Sequence, residues 1–216
     1  YRIYEFDKKL RMILFSALEE TEIYFRSILS YYHSHKYGKL GYKNSANFSE
    51  KHDSIKFDEL IKKTINENSK IPFVKHHIKN YGGDFPLWVL MEILTFGMLS
   101  HFYSDLKTQD RKYISRTYFG ETESNIKSWL RCLTDLRNIC AHYGRLYYRQ
   151  FTAVPANIRV EKNSLRRLYP NILALKKLFP DKQKWDINIK QAILALIEEY
   201  NDEINLAHIG FPDDII

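Results

Sequence analysis

Apolar side chains recur at three- and four-residue spacing from the start of the chain. Phe6, Leu10, Ile13, Leu14, Ala17 and Leu18, continued by Phe25, Ile28 and Leu29, mark one face of a long amphipathic helix running to about Tyr37. Gly38 and Gly41 break it, and Tyr42 to Asp53, with Asn44, Ser45 and Asn47, has no period and reads as a polar connection. A second, more polar helix is predicted from about Asp53 to Asn68. Pro72 suits the first turn of a short helix that closes at Gly82-Gly83, and Pro86 opens the next, Leu87 to about Leu106. That stretch is apolar nearly all round, with Trp88, Leu90, Met91, Ile93, Leu94 and Phe96 surrounding a single acid, Glu92. The pattern predicts a central buried helix whose carboxylate needs a partner.

Asp110 to Phe119 reads as a short helix ending at Gly120. Thr122 and Ser124 supply caps for a long helix from Asn125 to about Gln150, and Pro155 ends that region. Two further helices follow, Ser164 to Phe179 and Ile189 to about Ile204, punctuated by Pro170 and Pro180. Strand alternation, internal repeats and low-complexity stretches are absent. The reading is an all-α bundle forming a single domain over residues 1–216.

Composition changes this picture in three places. Tyr 16 and Phe 13 against Gly 8 and Pro 6 predict a core rich in aromatic rings. The formal net charge of +7 favours polyanionic partners such as RNA or DNA, although most of it belongs to a solvated surface. The two cysteines, Cys132 and Cys140, lie within one predicted helix at roughly 12 Å by helical rise, too far for a disulfide, and read as small buried hydrophobes in a reducing compartment. No apolar run approaches the ~18 residues of a membrane span, and the opening residues are not a signal peptide, so no membrane and a cytoplasmic location are expected. The chain begins at Tyr1 without an initiator Met, and the expectation is that a segment at the front is missing.

Chemistry concentrates in the helix from Asn125. Leu130, Leu133, Leu136 and Cys140 make an inward stripe, while Asn138 and His142 stand four apart, with Arg145 and Arg149 expected to continue the same polar edge. Arg137 precedes this edge by one position. These residue types suit RNA cleavage without a metal, in which a 2′-hydroxyl attacks the adjacent phosphorus. A histidine can take or give a proton at neutral pH, typically worth about 10²–10⁴-fold in rate. Arg137 offers a planar, permanently charged fork for the phosphate, and Asn138 can hydrogen-bond the phosphate or orient the imidazole. One helix carries one His, whereas the reaction uses a proton acceptor and a donor. Two copies across a two-fold axis would supply both, so a homodimer is expected. By itself, an Arg and a His five apart on a helix is more often a solvated edge.

The segment Leu136-Arg-Asn-Ile-Cys-Ala-His142-Tyr-Gly-Arg145-Leu, preceded by Ser128-Trp-Leu130, resembles the hallmark of bacterial abortive-infection proteins of the AbiD/AbiF type, in the HEPN ribonuclease superfamily. The likeness extends to Phe6-Asp-Lys-Lys-Leu-Arg11, Pro72-Phe-Val-Lys-His76, Trp88-Val-Leu-Met-Glu92-Ile-Leu-Thr-Phe96-Gly-Met-Leu-Ser100 and Ile209-Gly-Phe-Pro-Asp213. It implies a HEPN-like helical bundle with additional helices, a homodimer, an RNA substrate and a role in phage defence or a toxin-antitoxin system. Arg137, Asn138 and His142 fall on its catalytic positions. Glu92 falls on an acidic position, where it would orient Arg137, hold the active helix or form a plain structural ion pair. The resemblance further implies restraint by a small non-coding RNA in some members. Two departures stand out: the family often reads Ala-His-His where this chain has Ala141-His142-Tyr143, and the family's N-terminal part is absent.

Tyr143, Tyr147, Tyr148 and Phe151 interleave with Arg145 and Arg149, a pattern that can stack unpaired bases while guanidinium groups hold the backbone, though tyrosine-rich stretches are more often core. His33-Ser-His35 and His76-His77 lack the spacing of a known metal site, and Gly82-Gly83 lacks the residues of a phosphate loop, so neither a metal nor a cofactor is expected. The alternative to an enzyme is a helical dimer that grips a structured non-coding RNA or a partner without cutting.

Overall fold

The computed structural model describes residues 1–212. Among these the fold is all-α, with no strand and one isolated bridge between Phe48 and Leu106. Its elements are α1 (Arg2–Tyr37), α2 (Ser54–Glu67), α3 (Pro72–Asn80), α4 (Leu87–Leu90), α5 (Phe96–Asp105), α6 (Thr108–Ile114), α7 (Glu123–Ala141), α8 (Tyr169–Leu178), α9 (Lys182–Lys184) and α10 (Gln191–Glu199). π-helical turns extend α6 through Phe119 and join α9 to α10. The chain packs as two compact units, one formed by Tyr1–Glu22 with the residues from Ser124 onward, the other by Ile23–Glu123.

In the first unit Phe6, Leu10, Leu14, Ala17 and Leu18 of α1 are buried, as the spacing predicts. So is the α7 stripe of Ile126, Trp129, Leu130, Leu133, Leu136 and Cys140. The Phe6 ring meets Tyr147 edge-on at 6.1 Å and Tyr200 at 5.7 Å. Trp129 stays buried because its indole N–H donates to the Ala156 carbonyl at 2.7 Å. Pro170 sits in the first turn of α8, where its missing N–H costs nothing.

In the second unit the remainder of α1 buries Phe25, Ile28, Leu29 and His33, and Phe25 packs on Tyr103 of α5 at 5.6 Å. Asp110 of α6 is fully buried and accepts from the Tyr32 and Tyr37 hydroxyls at 2.7 Å each and from Lys36. Burial pushes its carboxyl up, but the three hydrogen bonds outweigh that and hold it below the usual carboxylate range. His33 lies among the rings of Tyr37, Phe48 and Phe102, with neither ring nitrogen hydrogen-bonded. Burial lowers its pKa to about 4.

The helix expected from Leu87 to Leu106 is broken. After α4 come a 3-10 turn at Met91–Ile93 and extended Leu94, and the Thr95 side chain then caps α5 by accepting from the Met98 amide at 3.3 Å. The break turns Glu92 outward, so it is not the buried carboxylate that the pattern predicts. The long helix predicted to Gln150 also stops early, at Ala141.

Candidate active site

The end of α7 sets the geometry of the predicted catalytic residues. The His142 amide donates to the Asn138 carbonyl at 3.0 Å, closing one more turn and placing His142 a turn beyond Asn138. The Tyr143 amide then reaches the Cys140 carbonyl at 3.3 Å, and the Gly144 amide the Ile139 carbonyl at 2.8 Å, the paired bonds of a Schellman stop. Tyr143 takes the left-handed position with φ 58, where glycine is usual, at a cost of roughly 1–2 kcal/mol. Glycine occupies position 144 instead because a Cβ there would lie 2.9 Å from the Ile139 Cγ2. Asn138 and His142 are exposed, and the Tyr143 ring is 85% exposed.

Arg137 is half-buried and braced on two sides. Its Nε lies 3.5 Å from the Glu22 carboxylate, and its guanidinium sits 5.8 Å from the centre of the Phe15 ring. Glu22, itself buried, is therefore the acid beside Arg137, the place that the sequence reading offers to Glu92. Glu92, in the other unit, is exposed and its ion pair is with Arg26 at 3.9 Å.

A buried pair fixes the segment after His142. One Asp7 carboxylate oxygen accepts from the amides of Leu146 and Tyr147 at 2.9 and 2.7 Å, and the other accepts from Arg11. Arg11 also donates to the Gly144 carbonyl at 3.4 Å. Both side chains come from α1, one turn apart. A cleft of about 590 Å³ opens beside this turn, walled by Lys8, Arg11, Met12 and Phe15 of α1 and by Cys140 and Tyr143. Burial pushes the Cys132 thiol up to about 11 and the Cys140 thiol to about 12, and both cysteines are free.

The polar edge predicted to continue through Arg145 and Arg149 does not form, because the helix has already ended. Arg145 is exposed on the following loop, and Arg149 folds back so that its Nε donates to the Arg145 carbonyl at 2.6 Å. Tyr147, expected to contact RNA, is a core residue. It is buried against Phe6 and bonded through its hydroxyl to His208 at 2.9 Å, so no ring face is left for a base. Tyr148 is 53% exposed. Asp7, Arg11 and Glu22 were not singled out as site residues by sequence. The signal for the first two was present, an acid and a base one turn apart beside the apolar stripe of α1.

The paired histidines belong to the second unit. His35, His76 and His77 each bond within their own helix, to the Tyr31 carbonyl, Asn80 and the Phe73 carbonyl. Among the described residues no three His, Cys, Asp or Glu side chains gather as a metal ion would require. No helix among them is long and apolar enough to cross a membrane.

Residues 1–148 match the family model described as Abi-like protein. No curated protein and no solved structure matches the chain. The matched stretch contains Asp7, Arg11, Glu22, Glu92, Arg137, Asn138 and His142. The segment from Ile209 that resembles the family falls beyond it, and Asp213 lies outside the described residues.

Proposed function

The chain belongs to the Abi-like protein family, and from that membership we propose a metal-independent endoribonuclease of the HEPN type, acting in abortive infection or a toxin-antitoxin system. The observation that carries the reading is the grouping at the C-terminal end of α7 of exposed Asn138 and His142 with half-buried Arg137, which Glu22 and Phe15 brace.

In this reading two copies of the chain form one composite site. His142 takes the proton from a ribose 2′-hydroxyl as its oxygen attacks the adjacent phosphorus. The bond to the 5′-oxygen breaks, and the partner's His142 gives that oxygen a proton. The products are a 2′,3′-cyclic phosphate and a free 5′-hydroxyl. Arg137 and Asn138 hold the phosphate oxygens as charge builds on them. The Glu22 carboxylate and the Phe15 ring restrict the guanidinium to one direction, so little ordering is left for the moment of reaction. Arg145 and Tyr143, both exposed, are the RNA contacts retained from the sequence reading, and a small non-coding RNA is the proposed restraint.

The test is cleavage of RNA in the presence of chelator, repeated with His142→Ala and Arg137→Ala. Both variants are expected to lose cutting while still binding RNA, and an all-deoxy strand is expected to resist. Cutting that survives both substitutions, or equal cutting of the deoxy strand, rejects the mechanism. A wild-type protein that binds RNA and never cuts it leaves the binding dimer as the function.

A further inference from the structure

Trp88 lies in the stretch that the sequence assigns to the core, yet it is 51% exposed, while Trp129 and Trp185 are 1% and 2% exposed. The reason is local. In the four-residue α4, Leu87 and Leu90 are both fully buried, and residue 88 is turned about 100° from residue 87. Pro86 before it and the 3-10 turn after it leave no neighbouring turn of helix to cover the indole.

The exposed indole is the shared wall of two clefts, about 730 and about 540 Å³. Tyr31 and Tyr118 with Arg26 and His35 line the first. Tyr81, His76 and His77 with Lys39 line the second. Each cleft also holds one acid, and each acid is already engaged by a cation: Glu92 by Arg26, Asp84 by Lys43. Trp88, Tyr31 and Tyr81 are 51%, 59% and 57% exposed, and exposed rings beside an exposed lysine form the kind of surface that holds unpaired bases by stacking and the backbone by charge.

We propose that the Trp88 surface is a stacking platform for single-stranded RNA, with one base in each cleft against the indole and the backbone met by Lys39. This rests on the RNA reading above and adds to it a set of residues that hold the strand without taking part in cleavage.

The test uses the full chain and a single-stranded 2′-O-methyl RNA oligonucleotide, which 2′-hydroxyl attack cannot cut. Because the other two tryptophans are buried, acrylamide quenching of tryptophan emission reports on Trp88. Saturating oligonucleotide is expected to shield it. Trp88→Ala is expected to weaken binding about tenfold, and Trp88→Phe, which keeps a ring, to weaken it much less. Unchanged quenching at saturation, or equal affinity in Trp88→Ala with an unchanged thermal melt, overturns the proposal and points to a protein partner. Shielding of Trp88 by oligonucleotide in a protein that cuts no RNA would uphold the platform while rejecting the nuclease. Cutting with Trp88 untouched would do the reverse.

Discussion

Among the described residues each compact unit buries one aspartate, and the two carboxylates are put to different uses. Asp7 gathers two backbone amides and a guanidinium, and thereby fixes the path of the loop that follows His142. Asp110 gathers two phenol hydroxyls and an ammonium from α1, and thereby fixes where α6 meets that helix. Backbone amides in a loop have no substitute partner if the carboxylate is removed. The Asp110 donors include Lys36, whose side chain is partly exposed and can turn to water. A buried acid therefore costs most to remove where its partners cannot leave.

The largest expected effect follows directly. Asp7→Ala strands Arg11 and two amides, and urea unfolding should show a loss of about 3–5 kcal/mol. A loss under about 1 kcal/mol would mean that water already reaches this loop and that the contrast with Asp110 is empty.

Acid should separate the second unit's two buried titrating groups. His33 is held neutral down to about 4, whereas an unfolded imidazole protonates from about 6.5. Stability is therefore expected to fall as pH drops from 6.5 towards 4, by about 3 kcal/mol in all. His33→Phe should remove that slope. The Asp110 contribution is complete above the ordinary aspartate value of 3.8 and is lost only as pH falls below it, through the depressed folded value. A melt series in which His33→Phe leaves the slope between pH 6.5 and 4 unchanged would assign it to other groups.

Asp110→Asn keeps an acceptor for one tyrosine, turns an NH2 group towards the other and removes the charge opposite Lys36, so about 2 kcal/mol is expected from chemical denaturation. It should fall clearly below the Asp7→Ala loss. The smallest effect has the opposite sign: Tyr143→Gly relieves the left-handed strain and should raise stability by about 1 kcal/mol, read as a higher melting temperature.

What could be read from the chain beforehand follows from how local its causes are. The first helix was legible because its apolar face repeats from Phe6 to Leu29, and one buried stripe determines its orientation. The break between α4 and α5 was not, because residues apolar all round give no face, and the Thr95 cap is a single hydroxyl within that run. Arg137, Asn138 and His142 were placed together inside a helix reaching Gln150; Arg137 and Asn138 do lie in α7, but the helix stops at Ala141 and leaves His142 just beyond its end. Their brace was hidden: Glu22 and Phe15 meet Arg137 only through tertiary packing of α1 against α7. The early stop of α7 was half legible, since Gly144 is on the page, but its glycine serves close approach to Ile139 rather than the left-handed position.

Cys140 sits two residues before His142, nearly sealed, with a thiol that burial keeps protonated far above neutral pH. An alkylating reagent reacts with the thiolate, and burial keeps that form scarce, so labelling should speed up when the terminal turn of α7 lets go and the sulfur meets water. The rate of labelling there is thus a clock for fraying at the helix end that carries the imidazole, and it runs without any tag or substitution.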